Sequence, residues 1–246
     1  MIDTSIDFTG QTVCVIGGSS GIGNASAQAF RAQGAEVHVT GTRGSEADYD
    51  ADEGSDLSGL IYHQLDAGDD AAIIALRQKF TRLDILVCSQ GMVMYKRAEF
   101  EPENFAKVVQ VNLNSLMTCA GQFYDLLKET KGSLIIISST AAFHATVGNP
   151  GYNASKAGAA GLTRTLGKAW APDGIRVNGV APGLIATKMT KVTTDNPKRR
   201  DATIRSIPLG RIGDTDDMAG LVLFLASPLA GYIVGQTIIA DGGLLL

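Results

Sequence analysis

A tyrosine and a lysine, Tyr152 and Lys156, stand four residues apart at the start of a segment with the pattern of a long helix. Residues at this spacing lie on the same face of a helix. A free phenol has a pKa of about 10 and is a poor base near neutrality, but a nearby ammonium favours the phenolate. Such a phenol can remove a proton from an alcohol or donate one to a developing alkoxide. A helix can also carry this pair without any function, so the spacing alone does not establish an active site.

A serine upstream could complete that chemistry. The segment GSLIIISS predicts a buried strand that ends in Ser138 and Ser139. In an open α/β sheet, ligands bind in the crevice at the carboxyl ends of the strands. The Ser139 hydroxyl is therefore expected where it can hydrogen-bond a substrate oxygen next to Tyr152.

A glycine-rich turn near the start of the chain could bind phosphate. The run TVCVIG predicts a strand and leads into GGSSGIG, which contains Gly17, Gly21 and Gly23 and opens a helical pattern. Glycines allow a tight turn and a close approach of the backbone to a pyrophosphate, and the helix N-terminus offers free N–H groups. The spacing is GxxxGxG and not the general GxGxxG. A glycine-rich turn can also serve any sharp strand-to-helix connection, so its place after the first strand matters.

Short apolar runs alternate with longer helical patterns along the chain, and several runs are apolar throughout, as in parallel strands covered on both faces. Strands are predicted at residues 12–17, 35–40, 60–65, 84–88, 133–138, 175–180 and 237–240. Helices are predicted at residues 21–33, 70–80, 101–130, 152–170 and 215–226. This order predicts an α/β fold, a single-domain doubly wound parallel sheet (Rossmann fold) with helices on both faces. We expect one domain over residues 1–246.

Two longer segments interrupt this alternation. Residues 43–59 are acidic and rich in glycine and serine, and residues 181–209 follow the sixth predicted strand. Loops at the carboxyl ends of the strands surround the ligand crevice in such sheets. Residues 184–210 are therefore a candidate substrate lid, with an inert surface loop as the alternative.

Charge and composition argue against several classes of protein. The formal net charge is -4, and the basic run at residues 198–200 is expected to be a solvated loop, so no nucleic-acid partner is predicted. Cys14 and Cys88 lie in predicted strands, and no Cys/His cluster indicates a metal. No run of about 18 apolar residues could cross a membrane, and the first residues carry acids where a signal peptide needs basic ones. We expect a cytoplasmic protein without a membrane or metal partner.

Together these motifs resemble the short-chain dehydrogenase/reductase family over nearly the whole chain. The family's TGxxxGIG turn corresponds to IGGSSGIG, with Ile16 in place of the threonine. The resemblance implies an enzyme in which Ser139 orients the substrate, Tyr152 is the general acid/base, and Lys156 lowers the tyrosine pKa and binds the nicotinamide ribose. It also implies that Asn112, in VVQVNLNSL, holds a water that links Lys156 to solvent. The alternative for Asn112 is a helix-interior amide with local hydrogen bonds.

The resemblance further implies contacts to a nicotinamide dinucleotide. The implied cofactor-binding residues are Gly17, Ser19, Ser20, Gly21, Ile22, Gly23, Thr42, Arg43, Asp66, Ala67, Ser89, Gly91, Tyr152, Lys156, Pro182, Gly183, Ile185 and Thr187. One departure follows the fourth strand, where CSQG at residues 88–91 replaces the family's usual Asn-Asn-Ala-Gly. The bonds of the first asparagine, which brace the central strands, must be replaced or lost. We expect an effect on local stability and cofactor fit, not on the chemistry.

Residue 41 bears on the choice between NADP(H) and NAD(H). An acid at the end of the second strand would bind the adenosine ribose of NAD and repel the 2′-phosphate of NADP. The chain has Gly41 there, and Arg43 could pair with a phosphate. Against this, the following stretch is acidic, and the glycine turn has Ser20 where many NADP-using members have a basic residue. NADP(H) is favoured, with NAD(H) as the alternative.

The residues that the resemblance places around the substrate are mainly apolar, with flexible methionines. They are Met92, Met94, Tyr95, Phe143, His144, Val147, Leu184 and Met189. The expected substrate is a neutral carbonyl or secondary alcohol, which His144 could hydrogen-bond if it is not an ordinary loop residue. Lys188 and Lys191 leave a charged substrate open, such as an acyl thioester.

Three other functions remain open at this point. They are a 3-oxoacyl-thioester reductase, an NAD-dependent alcohol dehydrogenase, and a nucleotide-binding sensor without turnover. The complete set of catalytic residues argues against the sensor. Family members are usually tetramers or dimers, so a homo-oligomer (homotetramer or dimer) is expected. The three leucines at residues 244–246 could be buried against a second subunit or against their own fold.

Overall fold

The computed structural model describes residues 6–49 and 54–246. Its strands are β1 (Thr12–Ile16), β2 (Glu36–Gly41), β3 (Ile61–Gln64), β4 (Ile85–Cys88), β5 (Ser133–Ile137), β6 (Arg176–Pro182) and β7 (Thr237–Ala240). They form a sheet in the order β3-β2-β1-β4-β5-β6-β7, and each neighbouring pair is parallel. Every predicted strand is confirmed, with ends within two residues of those expected. The strand order reverses between β1 and β4, which is the point where doubly wound sheets bind ligands.

The helices cover both faces of this sheet. They are α1 (Gly21–Ala32), α2 (Asp70–Arg77), α3 (Pro102–Val109), α4 (Ser115–Thr130), α5 (Pro150–Trp170), α6 (Lys191–Thr194), α7 (Pro197–Ser206) and α8 (Thr215–Ala226). Successive residues of a strand point to opposite faces, so Leu86 and Cys88 of β4 pack with α2, α4 and α5. Ile85 and Val87 pack on the other face with α1 and α8. The prediction of a doubly wound α/β sheet is confirmed.

The helix predicted over residues 101–130 is divided in the structure. A π-helical segment, Gln110–Asn114, separates α3 from α4. Such segments are frequent at functional sites. Hydrophobic spacing over so few residues does not distinguish their wider turn from an α-helical one, so the sequence pattern did not reveal the interruption.

The segment that follows β6 contains more helix than the sequence indicated. Both α6 and α7 lie within it, and α7 starts at Pro197 after Asn196, whose side chain accepts the N–H of Arg199. No residue of α7 is buried, so this helix lacks the apolar face by which a sequence pattern identifies a surface helix.

Within residues 6–49 and 54–246, no helix combines the length and the apolar character that a membrane crossing needs. The same ranges contain no group of three or more His, Cys, Asp or Glu side chains placed to hold a metal ion. The three cysteines are buried and free.

Candidate functional site

A cleft of about 450 Å³ lies at the carboxyl ends of the central strands. The glycine turn after β1 lines one part of it, and Ser139, Tyr152 and Lys156 line another. Most of the predicted cofactor contacts line this cleft, namely Gly17, Ser19, Ser20, Gly21, Ile22, Thr42, Asp66, Ala67, Ser89, Gly91, Pro182, Gly183, Ile185 and Thr187. Gly23 and Arg43 do not line it. The fold therefore brings both predicted parts of the site, phosphate turn and hydroxyl groups, to one cavity.

The turn after β1 has no room for a side chain at two of its glycines. Gly17 has φ of +75°, and a Cβ there would lie 2.8 Å from the Cα of Gln90. A Cβ on Gly23 would collide with the carbonyl oxygen of Gly17. The α1 N-cap, Ser20, makes no side-chain hydrogen bond to the helix, and the first N–H of α1 donates to the Gly54 carbonyl at 3.2 Å, so the other N–H groups of the first turn can be directed to an anion. A turn closed to side chains at Gly17 and Gly23, and open to a cleft of this size, fits a dinucleotide pyrophosphate.

Tyr152 lies in the first turn of α5, beside the end of β5. The Ser139 side chain accepts the N–H of Ala141 at 3.1 Å and lies close enough to Tyr152 to affect its phenol. Burial raises the pKa of Tyr152, the Ser139 hydroxyl lowers it, and the nearby Tyr95 and Glu99 raise it further. The phenol is therefore held protonated and adjacent to a second hydroxyl group.

Lys156 lies one helical turn further along α5. Its Nζ is 5.7 Å from the centroid of the Tyr152 ring and donates to the carbonyl oxygen of Ile137 at 2.9 Å. The residue is buried, and burial lowers the pKa of Lys156 from 10.5 to about 8. A Cβ on Gly91 would lie 3.5 Å from this Nζ, at ordinary contact distance, so the backbone after β4 passes close to the ammonium.

Asn112 is fully buried in the π-helical segment. Its Oδ1 accepts the N–H of Met92 at 2.8 Å, and its Nδ2 donates to the Met92 carbonyl at 2.9 Å and to Ser155 Oγ at 3.2 Å. These partners are distant in sequence, so the amide does not bond locally within its helix. It connects the loop after β4 to helix α5, next to Lys156 in the sequence of that helix.

The departure at residues 88–91 is compensated only in part within the fold. Gln90 is buried, and its Nε2 donates to Ser115 Oγ at 2.9 Å. Its Oε1 is buried without a hydrogen-bond partner among the residues that the structure describes. Gln90 therefore connects the end of β4 to the start of α4 but leaves one buried polar atom unsatisfied, in line with the expected effect on local stability.

Tyr49, which the sequence analysis did not identify, follows the turn Glu46–Asp48, and its hydroxyl reaches back to Gly41 at the end of β2. A Cβ on Gly41 would collide with Tyr49 Oη and would lie 2.5 Å from Ser19 Oγ. The Arg43 guanidinium bonds the Asp48 carbonyl and stacks on the Tyr49 ring, 4.8 Å from its centroid. The place of the acid typical of NAD-binding sheets is thus filled by two hydroxyl groups. The sequence offered one signal for Tyr49, which is that it is the single aromatic residue in an acidic segment.

The predicted substrate residues do not all lie at the cleft. Met92 and Met189 line it, whereas Met94 is half-buried and does not. Leu184 lines a separate cavity of about 230 Å³, while Phe143, His144 and Val147 are exposed. Tyr95 donates from Oη to the Met189 carbonyl at 2.7 Å, and so links the loop after β4 to residues 184–210.

Residues 16–245 match the family model described as enoyl-(acyl carrier protein) reductase. The chain is 35% identical to the 3-oxoacyl-(acyl-carrier-protein) reductase FabG of Chlamydia pneumoniae, over 97% of this chain and 98% of that protein. It is 36% identical to the 2-dehydro-3-deoxy-D-gluconate 5-dehydrogenase of Bacillus subtilis (strain 168), over 97% and 96% of the two chains. Among solved structures it is similar to the Pseudomonas aeruginosa RhlG/NADP active-site complex, with a TM-score of 0.88, 30% identity and coverage of 100% of both chains.

Proposed function

The chain belongs to the short-chain dehydrogenase/reductase family, and on this premise we propose how its oxidoreductase activity is carried out. The enzyme transfers hydride between NADP(H) and a carbonyl or secondary alcohol substrate, with Tyr152 as the general acid/base. One observation carries the proposal. Ser139, Tyr152 and Lys156 line the same cleft as a glycine turn in which a Cβ on Gly17 or on Gly23 would collide with the backbone.

The residues around the cleft divide the work of proton transfer. In the reductive direction, the Ser139 hydroxyl hydrogen-bonds the substrate oxygen, and Tyr152 donates its proton as negative charge develops there. Bound NADPH would supply the hydride. Lys156 uses one of its three N–H donors on Ile137 and keeps two for the phenolate and for the ribose. Asn112 fixes the Met92 backbone beside them and would hold the water that returns a proton to the site.

NADP(H) is the proposed cofactor, and NAD(H) the alternative. Residue 41 is a glycine, and hydroxyl groups fill the position where a carboxylate would repel a 2′-phosphate. A structural relative of this chain is an NADP complex. Gly17, Ser19, Gly21 and Ile22 would hold the phosphates, with Asp66 and Ala67 at the adenine end of the cleft.

The test is NADPH oxidation with a panel of simple ketones, keto-sugar acids and 3-oxoacyl thioesters. We expect turnover of at least one substrate class and a loss of about 10²-fold or more in Tyr152→Phe. Tyr232→Phe is the matched control because Tyr232 is fully exposed. Equal turnover by Tyr152→Phe and its parent would refute the proposed acid/base.

A second candidate is a 3-oxoacyl-thioester reductase, which is favoured by the likeness to FabG. It predicts turnover of acyl thioesters and weak turnover of free ketones. Activity confined to keto-sugar acids would instead agree with the likeness to the gluconate-type dehydrogenase. A sensor without turnover would bind NADPH and oxidise none in the presence of any panel member.

The remaining proposals concern assembly and location. Residues 1–246 are proposed as one domain, with residues 184–210 as a substrate lid, which the bond between Tyr95 and Met189 supports. A homo-oligomer, tetramer or dimer, is proposed because the terminal Leu246 is fully exposed and would gain by burial. Three buried free cysteines suit a cytoplasmic protein. Light scattering after size-exclusion chromatography measures the oligomer size.

A further inference from the structure

Glu99 is a buried carboxylate to which the proposed function assigns no role. It lies in the turn Ala98–Phe100 between β4 and α3, and 1% of its surface is exposed. A carboxylate is rarely buried to this degree unless it is paired or accepts several hydrogen bonds. Its surroundings therefore indicate what it is for.

Three donors converge on this carboxylate, two from the start of helix α5 and one from earlier in its own loop. The backbone N–H of Tyr152 donates to Oε2 at 2.8 Å. The backbone N–H of Met94 donates to Oε1 at 2.9 Å, and Asn149 Nδ2 donates to the same atom at 3.3 Å. One side chain thus joins the start of helix α5 to the loop after β4.

Glu99 provides hydrogen-bond acceptors at the N-terminal end of helix α5, which is the end that carries Tyr152. Its N-cap residue, Asn149, makes no side-chain capping bond, and Pro150 has no N–H to satisfy. The N–H groups of a first helical turn need acceptors, and a negative charge is favourable there. Glu99 supplies both, and Gly151 makes room for it, since a Cβ there would lie 3.3 Å from Oε2.

We infer that Glu99 is a positioning residue for Tyr152, which fixes the first turn of α5 against the loop after β4 and so sets where the phenol stands. The inference rests on the proposed role of Tyr152. The same loop carries Tyr95, which bonds the Met189 carbonyl. Glu99 therefore fixes the position of Tyr152, the proposed acid/base, relative to Tyr95 and the loop after β4.

The charge of Glu99 gives the inference a second, independent readout. The groups that face Tyr152 are Tyr95 and Glu99 from the loop after β4, Ser139 from the end of β5, and Lys156 from α5 itself. After burial, Glu99 is among the causes that raise the pKa of Tyr152. Removal of its charge therefore lowers that pKa, so reduction, which needs the protonated phenol, is lost at a lower pH.

Glu99→Gln tests this with the shape of the side chain kept. The amide has a single acceptor oxygen, so the N–H of either Tyr152 or Met94 is left facing an NH2 group. We expect kcat to fall about tenfold, equivalent to about 1.4 kcal/mol, and the pH profile to move to lower pH. NADPH affinity, measured by fluorescence titration, stays at the parent value. In a Tyr152→Phe background, Glu99→Gln should have no further effect on residual turnover.

Asp84→Asn is the matched control. Asp84 is also buried and accepts a backbone N–H, that of Thr12 at 2.9 Å, but it pairs with Arg82 and precedes β4, at the amino ends of the strands and away from the cleft. This variant should lose stability without any change in pH profile. If Glu99→Gln behaves in the same way, with kcat within about twofold of the parent, Glu99 is structural only and the inference is wrong.

Two further results separate the possible failures. Full activity in Tyr152→Phe would overturn the proposed function itself, whereas an inactive Tyr152→Phe with an unaffected Glu99→Gln would overturn only the role of Glu99. If Glu99→Gln does not fold, Glu99→Asp replaces it. This variant keeps the charge but shortens its reach, so it should lower kcat with an unshifted pH profile, and an unchanged kcat would contradict the inference.

Discussion

The ammonium of Lys156 lies 5.7 Å from the centre of the Tyr152 ring and is held there by the carbonyl of Ile137. A strand end thus fixes the cation beside the phenol, in a site where burial opposes both the charged lysine and the charged tyrosinate. The lysine ammonium and the tyrosinate stabilise each other, because opposite charges attract strongly where the surroundings have a low dielectric constant.

Replacement of Lys156 by methionine should lower activity and raise stability at neutral pH. Without the ammonium, the phenolate loses its stabilising charge, and we expect kcat to fall by about 10²-fold or more. The folded state depresses the lysine pKa from 10.5 to about 8, so the unfolded chain binds the proton more tightly. The buried charge therefore costs about 3 kcal/mol below pH 8, and this cost disappears as pH rises towards 10.5.

The measurement is urea unfolding of both proteins between pH 7 and about pH 10. The parent should gain stability with rising pH, while Lys156→Met should show less of this gain. Lys168→Met is the control, because Lys168 is exposed on the same helix. A parallel pH dependence in the parent and in Lys156→Met would contradict the prediction.

Gly17→Ala should damage the cofactor site beyond the cost of an unfavourable backbone angle. Gly10 and Gly17 both have φ of +75°, but a Cβ on Gly10 meets nothing within 4 Å, whereas one on Gly17 lies 2.8 Å from the Cα of Gln90. Gly10→Ala should cost about 1 kcal/mol. Gly17→Ala should cost more and should weaken NADPH binding by about tenfold or more, as measured by fluorescence titration. Equal effects of the two substitutions would show that the close approach to Gln90 is unimportant.

An acid at residue 41 should shift cofactor preference once Tyr49 makes room for it. Gly41→Asp alone forces a side chain onto Tyr49 Oη and Ser19 Oγ, so we expect lower stability and weaker binding of both nucleotides. Tyr49→Phe removes the nearest of these atoms, and the Ser19 side chain, whose Cβ would lie 2.6 Å from the added one, must shift. In Gly41→Asp/Tyr49→Phe, the ratio of NADPH to NADH affinity should fall by about tenfold or more, since a carboxylate repels the 2′-phosphate. Gly44→Asp adds the same charge in the exposed part of the segment and should leave the ratio unchanged. A double variant that still prefers NADPH as strongly as the parent would exclude this position from cofactor selection.

The sequence located the principal side chains of the site because each stands at a recognisable point of a regular element. Ser139 follows a buried strand, Tyr152 and Lys156 share one helix face, and Gly17 ends the first strand. The carboxyl ends of parallel strands meet at one edge, so these residues had to be neighbours. Leu184 was placed near the substrate but lines another cavity, because no periodic pattern constrains an irregular segment.

The sequence by itself determined the α/β alternation, the parallel sheet, the glycine turn and the helical spacing of Tyr152 and Lys156. Each of these depends on local periodicity or on backbone angles that only certain residues adopt. The tertiary structure decided the rest, including the hydrogen bond from the Tyr152 N–H to Glu99 and the position of the Tyr49 and Ser19 hydroxyl groups beside Gly41. These contacts join segments that are far apart in the chain. They form only when the packing of the sheet and helices brings the loops together at the carboxyl ends of the strands.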